Sequence, residues 1–422
     1  MSLELTINTI SEEDLEKIHA EMKIKMEDKY SFGPAKYFIP YEIVGDNSVL
    51  IPFAYAAGEL RRKRRPRNVF EAMEHPFNGE LRDEQLVVRN EAIQTLNKTG
   101  SVILSMYCGF GKTITSINLA CCIGMKTLIV VNKLVLMKQW EESINRFCPG
   151  AVVKKINAKN KDACTDADFL IVNAINAQKI GSAFFETVGV VIVDEAHLIM
   201  AETVSKSMQV VSPRYLIGLT ATPYRPDGLD LLLEFYFGKN KIIRELWREH
   251  LVYKVDTGFK PTVEMTEAGK LNWGVVLDSQ SKDEARNNLI IDIICKFSER
   301  NFLVLVKRVE QGEELERKLS EKGEHVSSLV GARQTFDTTS RILIGTCSKV
   351  GTGFDHPNLD TLLLAADVEE YFIQYLGRCM RTRDGVPIIF DLVDDNGVLK
   401  KHYNTRKKIY QKHGGRIENY HM

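Results

Sequence analysis

The chain has no C-x-x-C pair among its eight cysteines (Cys108, Cys121, Cys122, Cys148, Cys164, Cys295, Cys347 and Cys379). That absence argues against a zinc site or a disulfide framework and leaves reduced thiols acting as small core residues. No apolar run approaches the roughly 20 residues needed to cross a bilayer. The stretch from Met1 to Asp14 carries acidic residues and no apolar leader core. A soluble, intracellular protein of cytoplasm or nucleus, with no membrane partner, is expected. An excess of one charge is also missing: Lys plus Arg and Asp plus Glu each number 56, so net charge gives no hint of a partner. Repeats of solenoid period are absent too.

What is present is enough apolar material for two ordinary domains and a smaller third piece, since 44% of 422 residues are hydrophobic. Charge is clustered although it is balanced. One basic run holds Arg61, Arg62, Lys63, Arg64, Arg65 and Arg67; a second, near the C-terminus, holds Lys400, Lys401, Arg406, Lys407, Lys408 and Lys412. Either can be a solvated face; the first also fits a nuclear-localisation signal or a surface that tracks phosphates.

From Ser101 onward, short β-branched runs alternate with amphipathic stretches, the pattern of β-α units wound round a parallel sheet. Buried strands are expected at Ser101 to Met106, Thr127 to Val131, Phe169 to Val172, Val188 to Val193 and Tyr215 to Leu219. After a lapse beyond Gly228, the pattern resumes at Phe302 to Val306, Ile342 to Gly345, Leu362 to Ala365 and Ile388 to Phe390. Charged i,i+4 pairs mark a helix over Val309 to Lys322. Ahead of this, Ser11 to Lys29 reads as a polar amphipathic helix, and Tyr37 to Phe53 as short strands turning at Gly45-Asp46-Asn47. The expected architecture is two α/β parallel-sheet domains in tandem behind a small α+β accessory domain. The boundaries are 1–77 for the accessory domain, 78–230 for the first α/β domain, 231–260 for a connector, and 261–422 for the second α/β domain with its basic tail.

The string Cys108-Gly109-Phe110-Gly111-Lys112-Thr113 follows an expected strand and opens the helical stretch Ile114 to Cys122. Small residues there let backbone N–H groups converge on phosphate oxygens at a helix N-terminus. Lys112 is placed to reach the β- and γ-phosphates of ATP, and the Thr113 hydroxyl to complete a Mg²⁺ shell. Met106 occupies the first glycine position of the full phosphate-loop pattern. Further on, Val190 to Val193 forms an apolar strand ending in Asp194-Glu195-Ala196-His197. Asp194 is placed to hold Mg²⁺, and Glu195 to polarise the attacking water as general base.

With its neighbours, Asp194-Glu195-Ala196-His197 resembles the second motif of superfamily 2 helicases, the DEAH-box group included. That resemblance implies two RecA-like domains hydrolysing ATP between them. Arg82 and Gln85, in Leu81-Arg82-Asp83-Glu84-Gln85, resemble the adenine-reading motif, and His197 joins the cofactor-binding set. Leu219 to Arg225 resembles the third motif, in which Thr220 and Thr222 couple ATP to nucleic acid. Gly345-Thr346 through Gly351 and Asp355 resembles the fifth. Gln374 to Arg381 resembles the sixth, with Gln374, Arg378 and Arg381 catalytic and both arginines directed at the γ-phosphate.

Weaker likenesses imply contacts with nucleic acid at Lys133, Asn173, Lys307, Arg308, Gly331 and Thr346, within Val131 to Trp140, Ile171 to Ala174, Lys307-Arg308 and Ser327 to Gly331. Trp140 reads as core packing rather than as a base-stacking residue. The resemblance spans Leu81 to about Asp394. It is nearest the branch of XPB-like proteins, phage UvsW and the poxvirus transcript-release helicase, which is mostly DNA-directed with 3′ to 5′ polarity. Viral origin, with virion association in that case, and a place in transcription, replication or repair would be consistent with it, with partners from those processes. A monomeric DNA helicase or translocase is thus the leading expectation. An ATP-dependent RNA helicase comes next, and a non-processive ATP-timed clamp or assembly subunit is the alternative of another class.

Overall fold

A computed structural model of the chain describes residues 1–25, 37–199, 208–221, 230–267, 269, 271–350, 356, 358–368, 372–380 and 385–421. The chain divides into two compact units, Met1–Arg244 and Glu245–Met422.

The first unit opens with β1 (Ser2–Thr6), β2 (Ile24–Lys25), β3 (Tyr37–Phe38), β4 (Glu42–Val44) and β5 (Ser48–Pro52). Strands β1, β5 and β4 form a small antiparallel sheet in that order. The main sheet follows, from β6 (Ser101–Met106), β7 (Thr127–Val131), β8 (Val153–Ile156), β9 (Phe169–Asn173), β10 (Val190–Val193), β11 (Tyr215–Thr220) and β12 (Lys241–Arg244). Its order is β12-β6-β11-β10-β7-β9-β8, and every pairing is parallel.

Alternate residues of these strands feed two cores. On one face, Val102, Leu104, Ile129 and Ile192 pack with Val88 and Leu96 of the helix Asp83–Thr99, Ile117 of the helix Lys112–Ile123, and Trp140 and Ile144 of the helix Leu134–Phe147. On the other, Ile103, Val130, Leu170 and Val191 pack with Leu3, Ile18, Ile51 and Phe53 from the N-terminal segment and with Leu232 and Tyr236 of the helix Asp230–Phe237. A parallel sheet needs both faces covered. The segment expected as an accessory domain supplies part of that cover and lies inside the same compact unit.

The helix expected over Ser11 to Lys29 is shorter, Glu12–Glu21, with Ser11 as its N-cap accepting from the Asp14 N–H. It stops because Ile24 is buried in an antiparallel pair with Phe38, and that burial outweighs helix propensity. Part of the expected helix lies outside the described residues.

The second unit contains β13 (His250–Asp256), β14 (Phe302–Val306), β15 (Val326–Leu329), β16 (Ile342–Thr346), β17 (Thr361–Leu364), β18 (Ile388–Val393) and β19 (Gly415–Asn419). Their order is β15-β16-β14-β17-β18-β13-β19, again parallel throughout. Two parallel α/β sheets in tandem were expected, and two are present. Residues 231–260, expected as a connector, instead contribute a helix and β12 to the first unit and β13 to the second. Strand β13 earns its interior position through Val252 and Val255, both buried, and through Tyr253 stacked on Phe390.

Candidate nucleotide site

In the first sheet β6, β11, β10 and β7 are consecutive and parallel, so their carboxyl ends open on one edge. That edge is where open α/β sheets bind ligands. It carries, in spatial order, the loop 107–111, Thr220, Asp194 and the start of the helix Leu134–Phe147.

The loop turns into the helix Lys112–Ile123 through Gly109 and Gly111, at φ 91° and 97°, values that disfavour any side chain. A Cβ on Gly111 would overlap the Gln85 amide. Phe110 is fully buried beneath the loop, with its ring edge-on to Tyr107 at 5.5 Å. Lys112 Nζ donates to the Met106 carbonyl at 3.0 Å, so the ammonium group is held under the loop. Thr113 stands half-buried in the first helical turn, where unpaired N–H groups and the helix dipole favour an anion.

Arg82 and Gln85 do a job that sequence reasoning missed. Gln85 Nε2 donates to the Phe110 carbonyl at 2.7 Å while its Oε1 accepts from the Arg82 N–H at 2.9 Å. Arg82 also donates to the Phe110 carbonyl. Together they brace the glycine loop against the start of the helix Asp83–Thr99. A glutamine four residues into such a segment reads as a helix start, so the sequence holds no signal for this brace.

Asp194 follows β10 and is 9% exposed. Its Oδ1 accepts the Glu195 N–H at 3.0 Å, and its Oδ2 accepts the indole N–H of Trp140 at 2.9 Å. Trp140, expected as plain packing, is buried but also makes this polar contact. Burial, and then the neighbouring Glu195 carboxylate, push the Asp194 carboxyl up; Trp140, Lys112 and the Glu195 N–H only partly offset them. Glu195 itself has φ 49°, a strained value for a residue with a side chain. Its Oε2 lies 3.6 Å from His197 Nδ1. The Asp194 carboxylate, the Glu195 carboxylate next to it in the chain and the Thr113 hydroxyl on the same sheet edge are oxygen donors of the kind a hard divalent cation takes. The residues therefore fit Mg²⁺ with a phosphate-bearing nucleotide.

His197, expected on the cofactor, is 1% exposed and shares a 2.9 Å hydrogen bond with Thr220 Oγ1. It links the ends of β10 and β11, so Thr220 is bonded to the Asp194-to-His197 turn. Thr222 lies outside the described residues, as do Gly351, Asp355 and Arg381.

The expected nucleic-acid residues fare unevenly. Asn173 is buried, and its side chain accepts from the Ile175 N–H, capping a turn. Arg308 pairs with Asp278 at 2.5 Å and donates to the Gly274 carbonyl. Both side chains are thus hydrogen-bonded within the protein. Lys307 is exposed, Lys133 and Thr346 are half-exposed, and Gly331 is exposed with φ 56°. Ser327 to Leu329, within the stretch expected to contact nucleic acid, belong to β15. In the second unit Gln374 and Arg378 sit buried on the helix Phe372–Cys379.

The basic run Arg61 to Arg67 is largely structural. Arg64 donates to the Leu96 and Asn97 carbonyls and Arg67 to the Ile123 carbonyl, closing the C-termini of two helices. Arg65 donates to the Glu186 and Ser212 carbonyls, and Arg62 to the Thr9 carbonyl and Asp14.

Residues 78–225 match the family model for the type III restriction enzyme res subunit. Over the full length of both chains, the sequence is 45% identical to "Putative helicase 161L" of Invertebrate iridescent virus 6. The chain belongs to this helicase family. The helicase is also 32% identical to "Putative helicase 055L" of Frog virus 3, over 85% of this chain and 84% of that one. A protein of Acanthamoeba polyphaga mimivirus described as a "Putative ATP-dependent RNA helicase" is 24% identical over 98% of this chain and 85% of its own. Among solved structures, S. cerevisiae Dbp5 bound to RNA and ADP BeF3 superposes with a TM-score of 0.55 at 14% identity, covering 79% of this chain and 89% of that one. That likeness speaks for the fold, two RecA-like α/β domains. Among the described residues no helix is long and apolar enough to cross a membrane.

Proposed function

We propose that this helicase is an ATP-dependent DNA helicase or translocase, running 3′ to 5′ and serving transcription, replication or repair. The observation that supports it best is the glycine loop ending in Lys112 and Thr113 on the same sheet edge as Asp194 and Glu195. The loop N–H groups and Lys112 hold the phosphates, and Thr113 and Asp194 hold the cation. Glu195 Oε2 accepts a proton from the attacking water. Bound Mg²⁺ would supply charge neutralisation at the β- and γ-oxygens. The proposal assigns Arg378 and Arg381 to the γ-phosphate, a role checked by retained nucleotide binding and lost turnover in Arg378→Ala. The DNA preference rests on the resemblance of Cys108 to Thr113, of Thr222-Pro223-Tyr224-Arg225 and of Gln139-Trp140 to the branch of XPB-like proteins, phage UvsW and the poxvirus transcript-release helicase.

An RNA helicase is the second reading, favoured by the description of the mimivirus relative and by the RNA bound in the Dbp5 structure. Steady-state ATPase with single-stranded DNA, double-stranded DNA or single-stranded RNA separates the two, with Lys112→Ala as blank. Stimulation by DNA alone supports the first reading and stimulation by RNA alone the second. Turnover indifferent to every nucleic acid defeats both and favours an ATP-timed clamp. Glu195→Gln is expected to bind nucleotide yet lose about 10²- to 10⁴-fold in turnover; near-parental turnover would remove Glu195 as the base.

A further inference from the structure

We infer that Trp140 is a positioning residue for the cation-holding carboxylate, acting through the hydrogen bond from its indole N–H to Asp194; the inference rests on the nucleotide-site reading above.

Trp140 lies midway along the helix Leu134–Phe147, behind β7, and reaches to the end of β10. The main chain of Asp194 is tied to the same strand, because its N–H donates to the Val130 carbonyl at 2.9 Å. Its side chain is then gripped at both oxygens, Oδ1 by the Glu195 N–H and Oδ2 by the indole. A carboxylate oxygen accepts in two lone-pair directions. One donor on each oxygen fixes the plane of the group and leaves the second direction of each for a hydrated cation.

An indole is an unusual choice for packing alone. Its N–H is a donor only and must find an acceptor when buried. Phenylalanine fills most of the same space with no such requirement. Here the single donor is directed at Asp194 Oδ2 and fixes how that carboxylate is presented. Outer partners of metal ligands act in this way, and their loss commonly costs about 10- to 100-fold in metal affinity.

The test uses the full chain and Trp140→Phe, which keeps a ring in the core and removes the donor. Binding of a fluorescent ADP analogue is titrated without Mg²⁺ and across a Mg²⁺ series, with the melting temperature as a check on folding. In the absence of Mg²⁺ the two proteins should bind alike, while the Mg²⁺ concentration for half-maximal tightening rises about 10-fold in the variant. A second measurement leaves Trp140 in place. Of the three tryptophans, Trp247 is 71% exposed and Trp273 stacks on His402. Replacing both by phenylalanine leaves Trp140 as the only tryptophan, and its selectively excited emission should change when Mg²⁺ is added to the protein with unlabelled ADP. An unchanged Mg²⁺ requirement in Trp140→Phe, or silent emission from Trp140, overturns the inference alone. A parent chain whose nucleotide binding ignores Mg²⁺ overturns the nucleotide-site reading, and this inference with it.

Discussion

Thr220 Oγ1 and His197 Nδ1 share a 2.9 Å hydrogen bond that joins the ends of two adjacent strands, β11 and β10. Both residues are essentially buried, so little water competes for the contact. His197 also lies 3.6 Å from Glu195. A shift at the end of β11 therefore has a short covalent and hydrogen-bonded route to the proposed general base.

Thr220→Val keeps the shape and removes the hydroxyl. Loss of one partner from a buried hydrogen bond costs about 1–3 kcal/mol. Nucleotide binding should stay within about two-fold, because no phosphate or cation group is touched. Stimulated turnover should fall about 10-fold, the rate equivalent of about 1.4 kcal/mol. ATPase with and without nucleic acid, alongside nucleotide titration, checks this; equal loss in basal and stimulated rates would make the bond merely structural.

Gly111 and Gln85 give a second prediction. Gly111→Ala meets two obstacles, a φ of 97° and an overlap with the Gln85 amide. The first costs roughly 1–2 kcal/mol for a residue with a Cβ, and the second forces the brace on the Phe110 carbonyl apart. Nucleotide affinity should drop at least about 10-fold, with a lower melting temperature. Adding Gln85→Ala removes the overlap but not the strained φ, so the double variant should regain only part of the loss. If the effects of the two single changes simply add, the residues do not press on each other.

The glycine loop and the interior strands were legible because their signals are local. Strands β6, β7 and β14 are runs buried on both faces and start and stop where the apolar residues do. Strands β8 (Val-Lys-Lys-Ile) and β19 (Gly-Arg-Ile-Glu-Asn) lie at sheet edges with polar residues facing out, and nothing in four or five such residues separates them from loop. The Trp140 to Asp194 contact joins residues 54 apart in sequence, and the Gln85 to Phe110 contact joins residues 25 apart. Their partners are set by which strands become neighbours, which residue spacing does not encode.

In the second unit a buried network sets a pH dependence. Asp367 accepts from His402 at 2.6 Å and from Arg406 at 2.7 Å, and Arg406 also pairs with fully buried Asp391. Burial by itself would raise the Asp367 carboxyl, but the His402 hydrogen bond and the Arg406 charge outweigh it and hold it below the usual range. A carboxyl depressed on folding stabilises fully above its unfolded value, about 3.9, and loses that stabilisation as pH falls through the lower folded value. Urea midpoints of the parent should therefore fall off below about pH 4, while Asp367→Asn starts less stable at neutral pH and shows a flatter acid limb. Parallel curves for the two proteins would mean that the network carries no proton linkage.

The arginines from Arg62 to Arg67 separate a structural reading of charge from an electrostatic one. A run of basic residues suggests phosphate contacts, and each such contact would steepen the salt dependence of nucleic-acid affinity by roughly one counterion. Arg64 and Arg67 instead donate to the last carbonyls of the helices Asp83–Thr99 and Lys112–Ile123. Helix C-termini carry partial negative charge, so a guanidinium there gains from the dipole as well as from the bond. Because these bonds are largely exposed to solvent, each contributes about 1 kcal/mol or less. Arg64→Ala and Arg67→Ala should each lower the melting temperature and leave the slope of log affinity against log salt unchanged. The Lys112–Ile123 helix also carries the glycine loop proposed for phosphate binding at its other end, so Arg67→Ala should weaken nucleotide binding more than Arg64→Ala does. A reduced salt slope with an unaltered melting temperature would return these arginines to the nucleic-acid surface.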